Sequence, residues 1–130
     1  ALYLALAVHE GTPYVAYQNV RGNGRGILMK YNGEEWEMVG GMPFSEAQAN
    51  FIALSFLGDV PCIVYSDEIY GYRLSVVRYN GAGFEQVGSP AFSLSAVGYC
   101  EIAMENGKVY TAFSDGSQSG RITVMVCDGG

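Results

Sequence analysis

Positively charged side chains are scarce in this sequence. Seven lysines and arginines stand against thirteen aspartates and glutamates, which gives the 130 residues a formal net charge of −6 at pH 7. A surface that follows a nucleic-acid backbone needs clustered cations, and an anionic bilayer repels an acidic protein. The composition therefore argues against nucleic acid and against a membrane surface as partners.

Long apolar runs are also missing. No stretch approaches the roughly 18–20 apolar residues that a membrane helix needs. The opening ALYLALAV resembles the apolar part of a signal peptide, but no basic segment precedes it and no small-residue cleavage pattern follows it. We therefore expect a strand here.

Cysteine is limited to three residues, an odd number that excludes a complete intramolecular disulfide framework. Each cysteine stands where other copies of the repeated unit described below carry a different, mostly bulky residue. Since a cysteine outside a disulfide packs as a small hydrophobe, we expect buried thiols at Cys62, Cys100 and Cys127.

Groups suited to catalysis are few. The single histidine, His9, falls in a predicted turn, and the carboxylate pairs Glu34-Glu35 and Asp67-Glu68 do not recur as pairs in the other units. The segment DGSQS at 115–119 falls short of a calcium-loop pattern, and no glycine loop followed by lysine is present to cradle a phosphate. We therefore predict no catalytic residue, no metal site and no cofactor, and hence a protein that is not an enzyme.

The sequence does contain a repeat, with an offset of 48 residues and no gap. The segment KYNGEEWEMVGGMPFS at 30–45 aligns with RYNGAGFEQVGSPAFS at 78–93. Periods of about 20–50 residues are typical of solenoids, propellers and arrays. The chain is therefore read as one unit repeated over 1–48, 49–96 and 97–130. Residues alike in all three copies include Tyr3, Phe51 and Tyr99; Arg25, Arg73 and Arg121; and Gly33, Gly81 and Gly129.

Within one unit, four short β-rich segments are separated by turn residues. In the first copy these are LYLALAV (2–8), YVAYQN (14–19), GILMKY (26–31) and EWEMVG (35–40), with the hairpin signal Asn-Gly between the last two. Proline and glycine interrupt every window of helical length, which disfavours a helical bundle. Four strands every 40–50 residues, followed by a longer return segment, here 41–50 and 89–98, are typical of a β-propeller blade.

A lone four-stranded blade cannot cover its own two faces, so blades stack around an axis. The segments YVAY (14–17) and CIVY (62–65) are apolar throughout, as expected for strands buried on both sides. Phe44 and Phe92, at the start of the return segments, are predicted to fill the seams between blades.

The repeat predicts an all-β fold of two complete four-stranded blades plus a third that lacks its outermost strand, in a single partial propeller domain spanning 1–130. Propellers normally have about 4–8 blades, so this chain is not expected to close alone. Two explanations remain open: identical chains complete the ring, with two copies giving six blades, or the chain is a piece of a longer array.

The segments GTPYVAYQN (11–19) and GRGILMKYNGEEWEMVGGMPFS (24–45) resemble a propeller repeat common in bacterial secreted and cell-surface proteins. The resemblance covers the whole chain. It implies an extracellular or cell-surface location and a role in adhesion, in glycan binding or as an appendage of an enzyme. SDGSQSGR (114–121) is similar to the aspartate box of sialidases but lacks its aromatic end, so sialidase chemistry is not implied.

Three repeated arginines, Arg25, Arg73 and Arg121, could ring a central channel and hold an anionic ligand. We favour a structural role instead. Asp67 and Asp115 lie six residues before Arg73 and Arg121, across a hairpin, and are expected to form ion pairs with them. In the first unit an asparagine takes the place of the aspartate.

Binding in repeat proteins usually occurs at positions that vary on one face. The variable loops are 20–25, 68–73 and 116–121, and the second offers Glu68, Tyr70 and Tyr72, a mixture that suits sugars or peptides. We therefore predict a non-catalytic binding or scaffold module for a glycan or protein ligand. Two alternatives remain: a part of a larger propeller glycoside hydrolase or lyase, and a self-assembling repeat without a ligand.

Overall fold

The computed structural model of the chain describes residues 1–88, 96–115 and 121–128. Within these ranges the fold is all-β, without any α-helix, and consists of three antiparallel sheets that we call blades 1, 2 and 3. The predicted fold class is confirmed. Blade 1 contains β1 (Leu2–His9), β2 (Thr12–Asn19), β3 (Arg25–Tyr31) and β4 (Trp36–Met38); blade 2 contains β5 (Ala49–Leu57), β6 (Val60–Asp67), β7 (Arg73–Tyr79) and β8 (Phe84–Gln86); blade 3 contains β9 (Val97–Glu105), β10 (Lys108–Asp115) and β11 (Arg121–Asp128).

The Asn-Gly pairs make the tight hairpins predicted between the third and fourth strands. The side chain of Asn32 accepts hydrogen bonds from the backbone N–H groups of Glu34 and Glu35, both at 2.9 Å. Gly33 has φ +100°, which a side chain would oppose. Asn80 and Gly81 repeat this arrangement in blade 2. The turn chemistry therefore fixes where each short outer strand begins.

The core lies between the blades. One cluster joins blade 1 to blade 2, and a second joins blade 2 to blade 3. Blade 2 is covered on both faces, and every residue of β6 from Pro61 to Asp67 is buried. This confirms the expectation for the CIVY segment. The corresponding segment of β2 is only partly buried, because blade 1 is covered on one face alone.

Phe44 fills the seam between blades 1 and 2, as predicted. Its ring is buried and lies 5.3 Å from the ring of Tyr65 and 6.1 Å from that of Phe84, between centroids. A Cβ added to Gly26 would overlap the Phe44 ring, so glycine is needed where the ring crosses β3. Phe92, predicted to play the same role, lies outside the described residues.

The first strands of the blades converge, since β1 packs against β5 and β5 against β9. They form the inner edge of the array, with the later strands of each blade progressively farther out. The ring is not closed. In blade 1 and in blade 3, the face that points away from blade 2 is exposed. The helical segments in the described chain are 3-10 turns of three residues each, far too short to cross a bilayer.

Two of the predicted buried thiols are confirmed. Cys62 and Cys100 are both buried, the first within blade 2 and the second at the seam between blades 2 and 3. Burial, with a smaller effect of the Glu101 carboxylate, raises the pKa of Cys100 to about 12. At neutral pH this thiol is therefore protonated and a poor nucleophile. The side chain of Cys127 lies outside the described part of the chain.

Candidate functional site

The two ends of the blades differ in their loops. Each first strand starts beside the end of the second strand, as the pairs Leu2–Gln18 and Ala49–Asp67 show. The loops between second and third strands therefore lie beside the starts of β1, β5 and β9. We call this the loop end, and the opposite end, with the tight turns that follow β1, β5 and β9, the hairpin end.

An aromatic residue stands near the start of each first strand: Tyr3, Phe51 and Tyr99, which we call the aromatic row. Their φ angles are +54°, +51° and +51°, in the left-handed region that bulky side chains avoid. The pairing register shifts at each of these positions, so each residue forms a bulge in its strand. Strained residues of this kind persist only where the surrounding fold holds them in place. They cluster at functional sites.

The rings of the aromatic row follow one another across the blades. The centroid distances are 4.8 Å from Tyr3 to Phe51 and 4.7 Å from Phe51 to Tyr99. Tyr99 is 78% exposed. The row borders an open hollow of about 490 Å³ on the inner edge of the array. The other residues that line it are Leu4, Ile52, Cys100 and Glu101.

The residues that line this hollow offer apolar surface and one hydrogen-bonding carboxylate. Ring faces and the aliphatic side chains of Leu4 and Ile52 can cover an apolar ligand surface, and the Glu101 carboxylate can accept a hydrogen bond. The Cys100 thiol is protonated at neutral pH because burial raises its pKa.

Two of the binding residues predicted from the sequence, Glu68 and Tyr72, form hydrogen bonds that connect elements of the loop end. The hydroxyl of Tyr72 donates to Glu68 at 3.1 Å, and the backbone N–H of Gln48 donates to the same carboxylate at 3.4 Å. Gln48 belongs to the return segment from blade 1. Glu68 therefore ties blade 2 to blade 1.

Tyr70, the third residue of that prediction, lines a second hollow at the loop end. This groove has a volume of about 310 Å³ and lies between the return segment of blade 1 and blade 2. Asp67 and Glu46 line it as well. Asp67 is 2% exposed and accepts a hydrogen bond from the backbone N–H of Ile69 at 3.2 Å. Burial raises the pKa of its carboxyl group.

The repeated arginines do not ring the inner edge. Arg25, Arg73 and Arg121 each begin a third strand, two strands away from the axis, and all three are exposed. The expected ion pair between Asp67 and Arg73 is wrong: within the described residues no carboxylate lies within 4.0 Å of the Arg73 guanidinium. Asp67 is buried under its own loop instead, where the Ile69 N–H satisfies it. The side chain of Asp115 lies outside the described residues.

A group of possible metal ligands lies at the hairpin end. The Nε2 atom of His9 is 2.8 Å from Oδ1 of Asp59, and a carboxylate oxygen of Glu10 lies within 4.8 Å of both. The histidine ring also stacks on Phe56, at 4.4 Å between centroids. His9 and Asp59 belong to neighbouring blades, so their contact joins two hairpins. The sequence predicts His9 as a turn residue, which is wrong, because it is the last residue of β1.

The binding residues predicted from the sequence do not include the aromatic row. The coincidence of Tyr3, Phe51 and Tyr99 was visible in the repeat, and three aromatics at one position of an inner strand were the available signal. The left-handed backbone was not visible, because glycine or asparagine usually marks that conformation.

No protein-family model matches the chain, and no curated protein matches it.

Proposed function

We propose that the chain is a non-catalytic binding module of propeller type that holds a glycan against the aromatic row. The proposal includes an extracellular or cell-surface location, which rests on the resemblance of the repeat to those of bacterial secreted proteins. The ligand surface lies at the inner edge, at the loop end.

The observation that carries this proposal is the threefold recurrence of an exposed or half-exposed aromatic residue in a strained conformation. Packing alone does not account for Tyr99, whose side chain is 78% exposed. Holding a non-glycine residue in the left-handed region costs on the order of 1–3 kcal/mol. A binding surface gives a reason to retain that cost in every blade.

A glycan fits this surface chemically. The C–H face of a pyranose is apolar and packs on aromatic rings, while its hydroxyl groups donate hydrogen bonds to carboxylates. The hollow offers both kinds of partner, since the rings of Tyr3 and Tyr99 border it together with the Glu101 carboxylate. Its volume of about 490 Å³ falls in the range of small-molecule sites.

A glycan array probed with the whole chain tests the proposal, followed by titration of the best binder into three variants. Tyr99→Asn removes the ring and suits the backbone, and should weaken binding about three- to tenfold, as expected for one aromatic contact. Tyr70→Ala tests the groove at the loop end and Trp36→Ala serves as the control on β4; both should leave affinity unchanged. A silent array, or an affinity that falls in Tyr70→Ala and not in Tyr99→Asn, contradicts the proposed site.

One observation favours a second candidate function, hydrolysis of a glycoside in the groove lined by Asp67 and Tyr70. General acids of glycoside hydrolases are carboxyl groups with a raised pKa, and burial raises the pKa of Asp67. Glu46 lines the same groove and would supply the second carboxylate. Turnover of a chromogenic glycoside that is lost in Asp67→Asn and kept in Tyr99→Asn would assign this function instead.

A further inference from the structure

Each seam inside the chain joins the same two kinds of blade surface. One is formed on the first strand: Ile52 and Leu54 face blade 1, and Cys100, Ile102 and Met104 face blade 2. We call it the first-strand face. The other is formed largely on the third strand, by Leu28 in blade 1 and by Leu74 and Val76 in blade 2. We call it the third-strand face.

Blade 1 leaves its first-strand face bare. Leu4, Leu6 and Val8 are 66%, 71% and 65% exposed. They stand 48 residues before Ile52, Leu54 and Phe56, which belong to blade 2 and pack against blade 1.

Blade 3 leaves its third-strand face bare. Ile122, Val124 and Val126 are 79%, 64% and 54% exposed. The first two stand 48 residues after Leu74 and Val76, which are fully buried against blade 3. The two open faces of the chain are therefore the two halves of a seam that the chain already forms twice internally.

We propose that a second copy of this chain docks head to tail, with its first-strand face of blade 1 on the third-strand face of blade 3. Each face presents a row of three exposed aliphatic side chains, and contiguous exposed apolar surface marks an interaction site. A head-to-tail contact produces a closed ring when the rotation per subunit permits it. Two copies contribute six blades, within the range of about 4–8 in which propeller rings close.

The second copy also completes the inner edge. Tyr3 of blade 1 lies beside Phe51 of blade 2, and Phe51 lies beside Tyr99 of blade 3. If the same seam is repeated between copies, Tyr3 of one chain follows Tyr99 of the other, and the aromatic row becomes continuous around the axis. The interface shares Leu4 and Glu101 with the border of the hollow but needs no glycan, and substitutions at Leu6 and Val124, which do not line the hollow, test it separately from glycan binding.

One side chain opposes the seam. Glu101 is exposed on blade 3 and pairs across the sheet with Ala112, at the position held by Ala53 in blade 2 and Ala5 in blade 1. Ala53 is buried in the seam between blades 2 and 3. Docking the second copy would bring the Glu101 carboxylate toward an aliphatic surface, which costs free energy unless the charge finds a partner. Glu101→Ala should therefore strengthen the dimer.

Mass in solution is the test, measured by light scattering and sedimentation across a concentration series. The wild-type chain is expected at twice its 14.0 kDa mass, and Glu101→Ala should lower the dissociation constant at least tenfold. A 14.0 kDa species at every concentration, or a mass that keeps growing with concentration, overturns the closed dimer.

Single substitutions on the two faces establish the direction of docking. Leu6→Asp and Val124→Asp should each give monomers, because every head-to-tail seam uses one face of each kind. Mixing the two variants should restore a dimer through the one seam that is wild type on both sides. A dimer that survives either substitution alone overturns head-to-tail docking, since only a like-with-like contact would remain intact. Val20→Asp, in an exposed loop outside both faces, is the matched control, and circular dichroism shows that each variant is folded.

Discussion

The rings of Phe51 and Tyr99 lie 4.7 Å apart between centroids, and both residues have φ near +51°. They belong to neighbouring blades, so the same strained backbone and the same ring contact recur at successive positions of the inner edge. The strain therefore belongs to the blade geometry and not to one local sequence.

Replacement of Tyr99 by asparagine should leave the stability of the fold nearly unchanged. Relief of the left-handed strain is worth about 1–2 kcal/mol, and loss of the ring contact with Phe51 costs about 0.5–1.5 kcal/mol. The free energy of unfolding by urea should therefore change by less than about 1 kcal/mol. Tyr99→Val is the opposing control, because a β-branched residue suits this backbone poorly. Equal stability of the two variants would argue against backbone strain at this position.

A methyl group at Gly26 should destabilise the seam between blades 1 and 2. The added Cβ would overlap the buried ring of Phe44, and overpacking of this kind costs roughly 1–3 kcal/mol. Gly83→Ala is the matched control, since a Cβ there meets nothing within 4 Å. Thermal melts of both variants should show a lower Tm for Gly26→Ala alone. An unchanged Tm would show that Phe44 does not fill the seam.

The stability contributed by Asp67 should decline as the pH rises. Burial raises its pKa above the ordinary value of 3.8 in the folded state. The unfolded chain ionises first, so the contribution is fully present below pH 3.8 and is lost as the pH rises through the folded-state pKa. Asp67→Asn can still accept a hydrogen bond from Ile69 and does not ionise.

Urea unfolding of Asp67→Asn and of wild type should be measured at a series of pH values from below 3.8 upward. The variant should gain stability relative to wild type as the pH increases. Gly83→Ala, which changes no titratable group and whose added Cβ meets nothing within 4 Å, is the control with a flat difference. A difference that falls with pH would mean that the charged form of Asp67 is the favoured one.

Replacement of Arg73 by alanine should leave the free energy of unfolding within about 0.5 kcal/mol of wild type. The guanidinium is exposed, and no carboxylate in the described chain lies within 4.0 Å of it. Arg78→Ala provides the contrast, because Nε of Arg78 lies 2.7 Å from Oε1 of Glu85. A larger loss for Arg73→Ala than for Arg78→Ala would restore the structural role expected from the sequence.

Much of the architecture was predictable because it depends on local chemistry. Asn32 and Asn80 specify tight turns through their own side chains, and the 48-residue offset carries each strand boundary from one blade to the next. Phe44 was predictable as a seam residue because a large apolar side chain stood between two strand-rich units.

The site was harder to predict because it depends on contacts between blades and on backbone angles. Asp67 and Arg73 are paired across one hairpin. The loop that follows Asp67 nevertheless buries its carboxylate and supplies an N–H group to it, so the carboxylate does not contact the arginine. The sequence predicts Glu68 as a binding residue because it lies with two tyrosines in a variable loop, whereas its carboxylate accepts hydrogen bonds from Tyr72 and from the return segment of blade 1. The hydrogen-bond partner of a polar side chain depends on the folded loops around it, and the sequence alone does not specify that partner.

The sandwiching of β6 between two other blades has a consequence for how the molecule opens. A strand with both faces covered becomes exposed to water on both faces only when two seams fail, whereas for β1 and β11 the failure of one seam is enough. Amide protons of β6 should therefore exchange with solvent most slowly, and opening should proceed from the outer blades inward. Unfolding would then follow the nearest-neighbour behaviour of a repeat array, with blade 2 as the last blade to unfold.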